Sequence, residues 1–360
     1  MPSLFDPIQL GAISAPNRVL MAPLTRGRAD RDHVPTALMQ TYYAQRAGAG
    51  LIISEATGIS REGLGWPHAP GIWTQAQTEA WKPVVGAVHK AGGRIMLQLW
   101  HMGRIVHPDF LGGAAPVSAS ATTAPGKAHT HAGKQPYVEA RPLDADEIPR
   151  LVEDYAHATR NAVAAGFDGV QIHAANGYLI DQFLRDGTNH RDDAYGGSPE
   201  NRVRLLREVA EVVASIAGAD RTAVRLSPNG DSQGVIDSDP SSVFPLAAKT
   251  LSDIGVAFLE LREPGPDGTF GNTTQPKQSP LIRAAFNGPL VLNSDYLKDN
   301  GQAALDSGIA DAIAYGRTFL ANPDLPERFR VNAPLNPDHM PTWYSQGPEG
   351  YTDYPALERA

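Results

Sequence analysis

The sequence predicts an α/β fold, a parallel (β/α)8 TIM barrel. Eight short apolar runs recur along the 360 residues, each followed by a stretch with helical spacing. Polar residues stand near the carboxyl ends of several runs, where barrels of this kind build their sites. A third observation is length: such a barrel uses ~250 residues, leaving about 110 for decoration around a single 1–360 domain.

The strand-like runs fall at residues 19–22, 51–54, 94–99, 169–173, 222–226, 256–261, 289–292 and 312–316. The helix ahead of the fourth run shows the pattern. Asp144 or Asp146 is placed to cap it, and Pro149 suits its first turn, where an amide lacks a helical partner. Ile148, Leu151, Val152, Tyr155 and Ala158 make one apolar face, and Gly166 is the expected stop. Three segments carry the surplus. An N-terminal hairpin (Leu4 to Pro7, Ile8, and Gly11 to Ile13) is expected to plug the barrel bottom. Residues 102–141 form an excursion after strand three, too long for a plain loop and available as a cap or lid. Beyond Ala333 runs an aromatic tail ending in Gly350-Tyr351-Thr352-Asp353-Tyr354-Pro355.

Alternation along a strand sorts its side chains between lumen and helices. Ile95, Leu97 and Leu99 share one face, and Met96, Gln98 and Trp100 the other. Val170 and Ile172 face the helices, so Gln171 and His173 look inward. Val224 and Leu226 go outward and Arg225 inward. Gln98, His173 and Arg225 therefore converge on one mouth. A guanidinium aimed into a barrel needs an anionic or electron-rich partner. With no carboxylate evident on the neighbouring strands, a bound ligand is the expected answer to Arg225.

Composition narrows the chemistry. Lys+Arg 31 against Asp+Glu 39 leaves a net charge of −8, which disfavours a nucleic-acid partner. Cysteine is absent, so disulfides, thiolate metal sites and cysteine nucleophiles are excluded. No apolar run reaches the ~18 residues of a membrane helix, and a cytoplasmic enzyme with no membrane partner is the expected class. Gly48-Ala49-Gly50 precedes a strand rather than following one, so it is not a dinucleotide-binding turn. A phosphate site is expected after strands seven and eight, at Asn293-Ser294-Asp295 and Gly316-Arg317.

Ala22-Pro23-Leu24-Thr25, His173-Ala174-Ala175-Asn176-Gly177-Tyr178 and the stretch from Asn189 through Tyr195-Gly196-Gly197-Ser198-Pro199-Glu200-Asn201-Arg202 resemble the old yellow enzymes. The resemblance is nearest to bacterial ene-reductases such as N-ethylmaleimide reductase and pentaerythritol tetranitrate reductase, and runs from Leu4 to the tail. It implies non-covalent FMN, NAD(P)H as hydride donor and small activated alkenes as substrates. It places Pro23, Leu24, Thr25, Ala56, Gln98 and Arg225 against the flavin ring. Asn293, Ser294, Gly316 and Arg317 would hold the phosphate, with the Asp295 side chain turned away from it. His173 and Asn176 would be donors to the substrate oxygen. Tyr178 would be the proton donor as hydride reaches the β-carbon. Trp66, Trp100 and Tyr351 are implied pocket walls. Alkene and nicotinamide would share one flavin face and alternate there.

Two other readings stand beside this one. His129-Thr130-His131, with His101, His173 and His190, would suit a metal-dependent hydrolase or lyase, although the His-x-His lies off the strand ends and no metal is expected. A passive flavin-binding protein would need Arg225 and Gln98 but neither Asn176 nor Tyr178.

Overall fold

The computed structural model describes residues 1–269 and 271–358. Eight strands form a closed parallel barrel: β1 Val19–Met21, β2 Ile52–Gly58, β3 Ile95–Trp100, β4 Gly169–Ala174, β5 Thr222–Leu226, β6 Phe258–Arg262, β7 Leu290–Asn293 and β8 Ala312–Tyr315. Each pairs with the next in chain order, and β8 closes on β1. The expected runs match these strands within one or two residues, except at β2. There Ile53 pairs with Met96 and Ala56 with Gln98, three residues against two. This bulge resets the alternation. Ile53 fills the lumen, Ala56 reaches the upper cavity, and Glu55 meets Tyr43 and the Arg26 amide.

The alternation read elsewhere holds. Ile95, Leu97, Leu99, Val170, Ile172, Val224 and Leu226 pack between strands and helices. Met96 joins Leu20, Leu51, Ile53, Phe258 and Val291 inside the barrel. The hairpin of Ile8–Leu10 and Ile13–Ala15 closes the bottom, with Leu10, Ile13 and Ala15 in that lumen cluster. Its turn needs Gly11: φ is +60°, and a Cβ there would lie 2.0 Å from the Asp220 carbonyl oxygen.

Helix Ile148–Ala165 buries Ile148, Leu151, Tyr155 and Ala158 and ends at left-handed Gly166. Its start differs from expectation, because no side chain caps it and Glu147 holds the cap position. The Glu147 carboxylate binds Arg141 at 2.5 Å and accepts the Asp144 N–H at 2.9 Å. That ion pair organises the turn, leaving Asp144 and Asp146 without a capping role. The 189–202 stretch is scaffolding. Asn189 donates to the carbonyls of Phe183 and Tyr195, Ser198 caps helix Pro199–Ala217, and Arg202 donates to the Leu184 carbonyl. No helix among the described residues is long and apolar enough to cross a membrane.

Candidate active site

A cavity of about 430 Å³ opens at the carboxyl ends of the strands. Its walls gather nearly every residue singled out in the sequence. Pro23, Leu24 and Thr25 follow β1, and Ala56 sits past the β2 bulge. Gln98 and Trp100 end β3, His173 ends β4, and Asn176 and Tyr178 follow it. Arg225 comes from β5, while Asn293, Ser294, Gly316 and Arg317 come from the loops after β7 and β8. Trp66 completes one side.

His173 is buried and its imidazole is held well below its ordinary pKa, first by burial and then by Arg225 and Arg262. It is therefore neutral, and its Nδ1 is buried with no hydrogen-bond partner among the described residues. The Tyr178 ring meets Trp100 and His173 edge-on, with centroids 5.0 and 4.9 Å away. Enclosure, with Tyr344 adding to it, pushes the Tyr178 phenol above its ordinary pKa, although the residue as a whole is only half-buried. Asn176 sits in a left-handed turn at φ 58°, its N–H donating to Ser227 Oγ at 2.7 Å. Gly177 follows because a Cβ there would lie 2.5 Å from the Ser232 carbonyl oxygen.

Arg225 corrects one expectation. Glu260 on adjacent β6 comes within 3.2 Å of its Nε, so a protein carboxylate does answer the charge. The Nε–H is not aligned on that oxygen, which makes the contact electrostatic rather than a hydrogen bond. Glu260 shares the inward parity of Phe258 and Arg262, a signal already present in the strand run.

Tyr351 is a second correction, for it lies outside the cavity walls. It is fully buried, stacked on Tyr42 at 4.1 Å and under the Arg28 guanidinium at 4.6 Å. Arg26 and Arg28 both donate to the Trp343 carbonyl, at 3.0 and 2.9 Å, and Arg26 also reaches the Gly350 carbonyl at 2.7 Å. This clamp brings Trp343 and Tyr344 to the cavity wall in place of Tyr351.

The lid expectation shifts too. Among the described residues none of 102–141 lines the cavity; Leu335 to Asp338, Trp343 and Tyr344 do. The excursion braces the wall from behind, where His129 stacks on Trp66 at 4.7 Å. His131 turns to His68 and Phe110, so the His-x-His pair does not converge. The Asp295 side chain does not turn away either. Left-handed backbone at Ser294 and Asp295 bends it back, and Arg317 Nη2 donates to its Oδ1 at 2.9 Å.

Arg262 was missed in the sequence. It lines the cavity and donates from Nη1 to Asn176 Oδ1 at 3.3 Å and Ser232 Oγ at 3.1 Å.

A family model described as the NADH:flavin oxidoreductase / NADH oxidase family matches residues 3–336. The chain belongs to this family, the old yellow enzymes. It is similar to an old yellow enzyme homologue from Zymomonas mobilis, with 65% identity, a TM-score of 0.98, and 99% of this chain and 100% of that one covered. A structure of morphinone reductase in complex with tetrahydroNAD matches at 47% identity and TM-score 0.94, covering 99% and 98% of the two chains. A putative 12-oxophytodienoate reductase 3 from Oryza sativa subsp. japonica is 44% identical over 360 residues, covering 99% of this chain and 93% of that relative. As an old yellow enzyme the protein is an NAD(P)H-dependent oxidoreductase that binds FMN and acts on small molecules. The family sets aside both the metal hydrolase and the passive binder. The cavity suits FMN on its own chemistry. Its walls combine a buried guanidinium and an amide (Arg225, Gln98), an arginine with two loop turns (Arg317, after β7 and β8), and apolar Pro23, Leu24 and Ala56.

Proposed function

We propose that this old yellow enzyme reduces the C=C bond of α,β-unsaturated carbonyl or nitro compounds. The observation that carries the reading is the joint presence of neutral His173, Asn176 and a protonated Tyr178 on one cavity wall, facing the space beside Gln98 and Arg225. Bound FMN supplies the hydride taken from NAD(P)H and delivered to the substrate β-carbon.

The chain's own residues do the rest. Gln98 and Arg225 hold the flavin's pyrimidine edge, and Pro23, Leu24, Thr25 and Ala56 flank the ring. Asn293, Ser294, Gly316 and Arg317 hold the phosphate. His173 and Asn176 donate to the carbonyl or nitro oxygen and stabilise the charge that develops on it. Tyr178 gives its phenolic proton to the α-carbon, a role that suits a group kept protonated. Trp66, Trp100 and Tyr344 confine the substrate.

The test is anaerobic bleaching of the purified yellow protein by NAD(P)H, followed by a panel of cyclic enone, enal, maleimide and nitroalkene. Rapid recovery of colour with these acceptors is expected. Recovery with oxygen alone would overturn the substrate class.

A further inference from the structure

Six barrel strands contribute to one buried polar chain beneath the cavity. Gln98 Nε2 on β3 donates to Gln171 Oε1 on β4 at 2.7 Å. Gln171 Nε2 donates to Glu260 Oε2 on β6 at 2.8 Å. The other oxygen of Glu260 lies 3.2 Å from Arg225 Nε on β5. Arg225 Nη2 donates to Asn293 Oδ1 on β7 at 2.8 Å, and Asn293 Nδ2 donates to the Ala314 carbonyl on β8 at 2.7 Å. All five side chains are buried.

We propose that Glu260 is a positioning residue for the flavin: it fixes which way the Gln171 and Gln98 amides face and moderates the charge that Arg225 presents. The inference rests on the reading that Gln98 and Arg225 hold the flavin ring.

The direction of the chain follows from hydrogen-bond chemistry. An amide can present oxygen or NH₂ to a neighbour, and the two are almost interchangeable in shape. A carboxylate offers only acceptors. Glu260 therefore draws the NH₂ of Gln171, which leaves the Gln171 oxygen for the NH₂ of Gln98. Gln98 in turn is left with its carbonyl oxygen for the cavity. That oxygen is the correct partner for the N–H in the middle of the flavin's pyrimidine edge, flanked there by two carbonyls. On the other side Arg225 is donor-only, which orients Asn293 the same way. Glu260 thus sets the polarity of Gln171 and Gln98, and Arg225 that of Asn293.

The same carboxylate offsets part of the positive charge beneath the ring. A cation there favours the reduced, more negative flavin. Glu260 accordingly lowers the flavin's reduction potential relative to an unpaired Arg225.

Glu260→Gln separates these effects from bulk. A glutamine that offers its oxygen to Arg225 must turn NH₂ toward Gln171, which reverses the chain and points the Gln98 NH₂ at the flavin N–H. The expected result is FMN binding to the apoprotein about tenfold weaker. The midpoint potential is expected to rise by about 30 mV, a tenfold shift in the two-electron equilibrium. In a Gln98→Ala background, Glu260→Gln is expected to cost little further FMN affinity while the potential still rises. FMN affinity and potential both equal to wild type in Glu260→Gln would overturn the inference. Should that variant fail to fold, Gln171→Leu severs the link to Gln98 and leaves the Arg225–Glu260 contact. Affinity is then expected to fall with the potential unmoved, and unchanged affinity overturns the proposal. If Gln98→Ala and Arg225→Leu themselves leave FMN binding intact, the flavin reading fails and this inference falls with it. Losses in those two with none in Glu260→Gln sink this inference alone.

Discussion

Arg262 Nη1 donates to the amide oxygen of Asn176 across 3.3 Å. A guanidinium has no acceptor, so the atom facing it must be oxygen, and the Asn176 NH₂ is left for the cavity. Arg262 also helps keep His173 neutral. Arg262→Met should weaken binding of a para-substituted phenol, a mimic of the charged substrate oxygen, by about tenfold. Asn176→Ala should do the same, and the double variant should lose little more. Spectral titration of the yellow protein reads all three. Additive losses would show that Arg262 does not act through Asn176.

Asp295 and Arg317 give a second prediction, because the arginine placed for a phosphate is shared with a carboxylate 2.9 Å away. Like charge beside the phosphate opposes binding. Asp295→Ala should therefore tighten FMN several-fold, while riboflavin, which lacks the phosphate, should bind the variant and wild type alike. Both are partly exposed, so the effect should shrink as salt rises. Equal gains for FMN and riboflavin would place Asp295 away from the phosphate.

Much of this site was legible because strand alternation is a local rule. Gln98, His173 and Arg225 follow from parity alone, and each lines the cavity. Glu260 and Arg262 obey the same rule in β6, but the unbroken apolar run Val256-Ala257-Phe258-Leu259 ahead of them masks the alternation there. The bulge in β2 was invisible, since it depends on pairing against β3 and on what Glu55 meets. The tail was hardest. Tyr344 and Tyr351 are both aromatic residues in a segment with no period. Only the buried guanidiniums of Arg26 and Arg28, more than 300 residues earlier, decide which tyrosine is structural.

Tyr178→Phe tests the proton donor. Removing the hydroxyl leaves the ring contacts with Trp100 and His173 intact, so FMN content and flavin bleaching by NAD(P)H should stay near wild type. Enone turnover should fall by about a hundredfold, the scale of one positioned acid. The phenol's raised pKa keeps it protonated through neutral and mildly alkaline pH, so this step should show no loss there from Tyr178 ionising. Stopped-flow measurement of the two half-reactions checks it. Equal slowing of both would remove Tyr178 from proton transfer.

Glu55 links the pocket wall to pH-dependent stability. Its carboxyl is fully buried and raised to about 7, first by burial, against hydrogen bonds from the Arg26 amide and the Tyr43 hydroxyl. In the unfolded chain it ionises near its ordinary value of 4.5. Between those values the native state binds more protons than the unfolded state, so stability falls as pH rises. The native advantage is complete below about 4.5 and gone above about 7, a difference of about 3 kcal/mol at most. Glu55→Gln keeps an acceptor for the Arg26 amide and has no proton to lose. Relative to wild type it should gain stability steadily from pH 5 to pH 7 and then level off. Thermal or urea unfolding of both proteins across that range measures the difference directly. A gap between them that stays constant with pH would show that Glu55 does not titrate in the folded protein.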